Sequence, residues 1–336
     1  MGTLRIAGKI SLGQFWPKGA SGNSQGSDAD TIKVVVDKSR VLFNGKASTA
    51  LGSAYAIDKG KKKLVINTKG EINVRLQGVD APELHYPTTI SKKIAKAPNG
   101  HFRQAWGESA AKALAAFLKK KFGDGPLTCD VISQNIGKPK DVCDSHGRVV
   151  GNVVINGVDV NLWLLNNGWA FPTFYNSMLK DEIEEATSLA KQAKAKNLGI
   201  WKDYQAIAFF DAKMLFNRAD TGKSDKGAVL LPKLFRRCAA SYVTHGSLQK
   251  LLPDIRASKS DRFVRTSDYL KGGSVFKQWG DAQNGAVRAA AAAPLHQTLG
   301  LDGRPGRIVE IAFARLGRKI VSRFPRGTRI GHRRDF

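Results

Sequence analysis

Residues 74–84, Val-Arg-Leu-Gln-Gly-Val-Asp-Ala-Pro-Glu-Leu, constrain this chain more than any other stretch. Val74, Leu76 and, beyond Gly78, Val79 form the short apolar run of a largely buried strand rather than a helix. Pro82 lacks a backbone N–H and biases Ala81 away from helical geometry, so the strand is expected to end at about Ala81. Arg75 stands near the start of that strand, and Asp80 and Glu83 stand where it breaks. A guanidinium and two carboxylates around a forced turn supply the parts of phosphodiester cleavage: oxygen donors for a hard metal, a base for water and a partner for phosphate. Taken alone, the stretch also reads as a strand followed by a solvated turn, because Asp is an ordinary turn residue.

Further segments weigh against the bare turn. Asp28-Ala-Asp-Thr31 precedes the β-branched run at 32–36, and Asp144-Ser-His-Gly-Arg148 leads into an apolar run at 149–155. Val160-Asn161, Leu164-Leu165, Asn167-Gly168 and Leu198-Gly-Ile-Trp201 follow in order. These stretches together resemble the thermonuclease (staphylococcal-nuclease-like) family over about residues 3–203. The resemblance implies a mainly β, α+β fold: a five-stranded barrel of OB type with packed helices. It also implies calcium-dependent hydrolysis of DNA and RNA.

The residue roles can then be set out. Asp30 and Asp80 are hard oxygen donors at the ends of two strands that would be neighbours in a closed barrel, which suits calcium. The resemblance gives them the metal, with the Ala81 backbone carbonyl as a further ligand in place of the family's usual Thr. It makes Glu83 the general base, and Arg75 and Arg148 the guanidiniums that hold phosphate oxygens. His146 stands where the family often has a Tyr near the phosphate, and Phe174-Tyr175 stands in the region of its base-stacking tyrosine. Asp28 is expected to act behind Asp30 or to stabilise the loop. The implied cleavage breaks the P–O5′ bond and leaves a 3′-phosphate. The competing expectation is a non-catalytic OB-type scaffold that binds nucleic acid or a protein. Retention of Asp30, Arg75, Asp80, Glu83 and Arg148 together favours the enzyme, because a scaffold needs none of them.

Charge agrees with a polyanionic partner. Lys and Arg number 54 against 28 Asp and Glu, a formal net charge of +26, which favours nucleic acid first and an acidic membrane surface second. Cys129, Cys143 and Cys238 are sparse and without CxxC spacing, so free thiols are expected rather than a disulfide framework or a zinc site. No apolar run reaches the ~18 residues of a membrane span. No apolar leader follows the N-terminal residues either, so the default expectation is a cytoplasmic protein, with secretion by another route left open.

Along the chain, strands are expected at 3–12, 32–36, 64–66, 127–132 and 149–155, and helices at 101–122, 160–165 and 178–194. The expected helix at 101–122 carries Phe102, Trp106, Ala110, Leu114, Phe117 and Leu118 at helical spacing. The segment between the second strand and Arg75 is long, with Asn44-Gly45 as a hairpin signal and a basic run at 59–63. It predicts an enlarged hairpin whose lysines either extend a nucleic-acid surface or guard a sheet edge. Three regions follow: a barrel domain over 1–204, a small α+β domain over 205–285, and an Arg-rich tail over 286–336. Pro232 is expected to open a short helix. From Arg288 to Arg334 there are ten Arg and only Lys319, whereas the barrel domain favours Lys. That break reads either as a disordered basic tail that grips phosphate or as a fusion or frameshift boundary.

Overall fold

A computed structural model describes residues 2–15, 26–52, 54–56, 62–84, 86–87, 101–102, 104–144, 146–174, 178–203, 229, 231–245, 311–314 and 318–321. Five strands build the core: β1 (Gly2–Ile10), β2 (Thr31–Phe43), β3 (Glu71–Leu76), β4 (Leu127–Ile136) and β5 (Val149–Ile155). Their order is β1-β4-β5-β3-β2, and β2 pairs back onto β1, so the sheet closes into a barrel of OB type. All ladders are antiparallel except β5 against β3, where Val149 faces Val74 and Val150 faces Arg75. Alternation sets which side chains point inward. Ile32, Val34 and Val36 on β2, Ile72 and Val74 on β3, and Val131 on β4 are buried, and so are Val149 and Val153 on β5.

β2 is far longer than the expected 32–36. Its ladder with β1 slips between Ile6–Val41 and Gly8–Val36, so residues 37–40 bulge out of register, and all four are exposed. The polar run Asp37-Lys-Ser-Arg40 hides the strand from a hydrophobicity pattern. β2 then turns through Asn44-Gly45 onto Lys46–Ala47, and Ala54–Ala56 pairs with Lys62–Leu64, so the enlarged hairpin is present. Its strand lies at 62–64 rather than 64–66. Lys59 and Lys61 lie outside the described residues, as do residues 88–100 with their three lysines.

Helix α1 (Gly107–Phe122) starts six residues later than its periodicity suggests. Trp106 has φ +68°, a left-handed conformation that cannot continue a helix, and His101–Phe102 pairs as a strand with Tyr86–Pro87. Ala110, Leu114 and Leu118 are its buried face, while Lys119–121 and Gly123 close it. Two more helices, α2 (Val160–Asn166) and α3 (Lys180–Ala195), follow β5. Trp163 and Trp169 are packing residues: Trp163 stacks on Phe117 at 4.2 Å, and Trp169 lies 6.1 Å from Trp106. Cys129 and Cys143 are free, buried thiols, both pushed up to about 12 by burial.

Beyond the barrel, α4 (Pro232–His245) is a full helix of 14 residues with Phe235 and Ala239 buried along one side and Leu231 buried just before it. Ile311–Ala314 pairs with Arg318–Val321 inside the Arg-rich region. Among the described residues, no helix is long and apolar enough to cross a membrane.

Candidate active site

The strand around Arg75 breaks earlier than Pro82. Gly78 sits at φ +81°, and the chain leaves the barrel after Leu76; Val79–Asp80 pairs instead with Phe171–Pro172. This turn swings Asp80 back over the end of β3. Thr31 is opposite Arg75 in the β2–β3 ladder, and the Asp30 carbonyl accepts the Leu76 N–H at 2.9 Å. Asp30 and Asp80 therefore meet at one end of the barrel although 50 residues separate them. Both are 2 % exposed.

Arg75 lies between them. Its Nη1 pairs with Asp30 and its Nη2 with Asp80. Asp30 also accepts the Ala81 N–H at 2.9 Å, which ties the segment before Pro82 to β2. Glu83 is buried just beyond. Its N–H donates to Gln104 Oε1 at 3.2 Å, and its carbonyl accepts the Gln104 N–H at 2.7 Å. Asp28 completes the group, with its Oδ1 buried and without a hydrogen-bond partner.

Sequence reasoning missed Arg236. This side chain from α4 reaches the same carboxylates, with Nη2 3.2 Å from Asp80 Oδ2 and Nη1 paired with Glu83. The local signal was the apolar pair and basic pair of Leu-Phe-Arg-Arg at 234–237 after Pro232, which indicates a helix and not its destination.

These neighbours move the acids in opposite directions. Burial pushes the Asp80 carboxyl up, but Arg236 and Arg75 outweigh it and hold it below the usual carboxylate range. Glu83 ends above that range, because burial together with Asp30 and Asp80 prevails over Arg236 and Arg75. Asp28 is raised well above it by burial, then by Glu83 and Asp30. Four acids crowd together here, and Asp28, Asp80 and Glu83 do not share their charge equally.

The remaining expected residues are spread around this centre. Arg148 immediately precedes Val149, which faces Val74 across the parallel ladder, so it enters on the strand beside Arg75. Its guanidinium is held by Asp144, with Nε and Nη2 both 2.8 Å from Oδ2. His146 is exposed, and its N–H donates to Asp144 at 2.9 Å. Phe174 is 7 % exposed and enclosed rather than presented as a stacking face, while Tyr175 lies outside the described residues.

The donor set suits a hard cation. Asp28, Asp30, Asp80 and Glu83 set four carboxylates against two guanidiniums, and one carboxylate oxygen of Asp28 has no donor. Among the described residues, no group of three or more His, Cys, Asp or Glu is arranged to hold a metal. Carboxylate, backbone carbonyl and water oxygens together make the mixed shell that calcium accepts and zinc does not prefer.

Residues 73–203 match the family model described as Staphylococcal nuclease homologue. No curated protein matches the chain. The matched segment holds Arg75, Asp80, Glu83 and Arg148. Asp28 and Asp30 lie before it and are joined to it by the β2–β3 ladder, and Arg236 lies beyond it.

Proposed function

We propose that this chain is a calcium-dependent phosphodiesterase that hydrolyses DNA and RNA with low sequence preference. The observation that carries this reading is the convergence of Asp30 and Asp80 on Arg75 at one end of the barrel, with Glu83 buried beside them, where Arg75, Asp80 and Glu83 lie in the segment that resembles the nuclease homologues. When bound at Asp30 and Asp80, with the Ala81 carbonyl beside them, calcium would neutralise charge on the phosphodiester.

The chain's own groups do the rest. Glu83, raised in pKa and shielded from bulk water, accepts the proton of an attacking water at a carboxylate oxygen. Arg75 turns one face of its guanidinium from the carboxylates to non-bridging phosphate oxygens, where charge builds in the transition state. Arg148 supplies a second guanidinium from the neighbouring strand, kept rigid by Asp144. The new bond forms between water oxygen and phosphorus as P–O5′ breaks, which leaves a 3′-phosphate and a 5′-hydroxyl. Backbone phosphate contacts dominate, which is consistent with little base preference.

Cleavage of single-stranded DNA, double-stranded DNA and RNA, measured with calcium, magnesium or chelator, tests the reading. The wild type is expected to cut only with calcium, and Glu83→Gln to lower kcat by about 10²–10⁴-fold. Tight binding without cleavage under every metal condition would replace the enzyme with the non-catalytic scaffold.

A further inference from the structure

Among the described residues, Arg236 is the one group in the site supplied from outside the barrel and its attached helices. It reaches both Asp80 oxygens, at 3.4 Å and 3.2 Å from Nη2, and pairs with Glu83 through Nη1. A planar guanidinium fits two carboxylates in this way because its donors form a rigid fork. Those are the oxygens that a cation at Asp80 and a water proton at Glu83 both require. While Arg236 is seated, the base is already paired, and Arg75 takes the other share of Asp80.

Charge leads to the same point. With Arg236 seated, Asp30, Asp80 and Glu83 face two guanidiniums; with it withdrawn, the ion pairs that remain to them among the described residues are those of Arg75. Such an excess of buried negative charge is costly unless another cation enters. A divalent ion and Arg236 are therefore alternatives for one electrostatic position.

The guanidinium does not arrive on a wandering side chain. Leu231, Phe235 and Ala239, spaced four residues apart, are buried at 6 %, 3 % and 0 % exposure. The helix is thus docked by its apolar side while Arg236, between Phe235 and Arg237, is directed at the acids. Tyr86, half-buried, lies within electrostatic reach of Glu83, Arg236 and Arg237.

We infer that α4 is a built-in competitor: Arg236 occupies the carboxylates of Asp80 and Glu83, and must leave before a divalent cation and a phosphodiester can enter. This rests on the reading of Asp80 as a cation ligand and Glu83 as the base. The chain then responds to cation concentration through the position of a helix that is not part of the barrel. A ligand that binds only the open form sees an affinity reduced by the fraction open, so a helix seated in about nine molecules of ten weakens apparent binding about tenfold.

The test is calcium titration by calorimetry on the full-length wild type, Arg236→Gln and Arg236→Met, with hydrogen exchange of the α4 amides in the wild type with and without calcium. Competition predicts an apparent Kd about tenfold lower in both variants, and faster α4 exchange in the wild type once calcium is bound. Equal Kd in all three proteins overturns the competitor and leaves the nuclease reading standing. Calcium binding to none of them overturns both. If the variants fail to fold, the wild-type exchange decides: α4 protection unchanged with calcium bound overturns the inference, and lost protection supports it.

Discussion

Asp28 and Asp80 sit in one cluster and carry opposite pH signatures. Asp28 is raised well above its ordinary range by burial and by Glu83 and Asp30, so the folded chain keeps a proton that the unfolded chain releases. Its contribution to stability is full below about pH 4 and is lost as pH rises through the raised value. Asp80 is depressed, so its contribution is present above about pH 4 and is lost as pH falls through the lowered value. Asp28→Asn removes the first slope only. It is expected to match the wild type in acid but to be more stable at pH 7–8 by about 1–2 kcal/mol, the scale of relieving a buried group that lacks a partner. Urea unfolding of both proteins at pH 4 and pH 7.5 measures this. An Asn variant that is less stable at pH 7.5 would show that the Asp28 charge is compensated there. The same residues show what could be read in advance. Asp30, Arg75, Asp80 and Glu83 were legible because short local motifs carry them. Arg236 was not, because nothing near it in the chain encodes a partner 156 residues away.

At the scale of elements, the support behind the site is a clasp between the end of α2 and the turn at Gly199–Lys202. Gly168 (φ +69°) and Gly199 (φ +52°) meet backbone to backbone, and the Ile200 N–H donates to the Gly168 carbonyl at 2.8 Å. A Cβ on Gly168 would lie 2.8 Å from the Leu198 carbonyl carbon and from Trp201 Cδ1. Gly168→Ala therefore combines a left-handed backbone with a collision that no side-chain rotation relieves. A loss of about 2–3 kcal/mol is expected, the upper part of the range for single substitutions, read as a lower midpoint in chemical denaturation with an unchanged slope. A midpoint within error of the wild type would mean that the two turns separate freely. Asn161 joins the same region to the barrel: its Nδ2 donates to the Gln77 carbonyl at 2.7 Å, and its Oδ1 accepts the Val153 N–H at 3.2 Å. The sequence stretches Asn167-Gly168 and Leu198–Trp201 were recognised as motifs, yet their mutual contact was invisible because it depends on two glycines with φ above zero. Element ends were misjudged for related reasons. The α1 start depends on the Trp106 backbone, and β2 continues through a polar bulge that hydrophobic periodicity reads as a loop.

For the whole molecule, the formal net charge of +26 sets how any nucleic acid is held. Lysines and arginines that neutralise phosphates release counterions, so affinity falls steeply with salt. A footprint of about four to six phosphates loses about 10²–10³-fold in affinity between 50 and 200 mM salt. Anisotropy of a labelled oligonucleotide with the Glu83→Gln protein checks this without cleavage, and a nearly flat salt response would place the charge away from the binding face. The barrel also joins distant parts of the chain: β1 pairs with β4, where Ile10 faces Leu127 and Gly2 faces Ile136. During synthesis β1 leaves the ribosome long before its second neighbour exists. At about 5–20 residues per second, roughly 6–25 s separate the making of Ile10 from that of Leu127. Over that interval a nascent strand with Leu4, Ile6 and Ile10 on one face carries an open hydrogen-bonding edge, even after β2 has covered the other. The β1–β4 seam, open for the longest time, is therefore the surface most exposed to mispairing between neighbouring chains on one message.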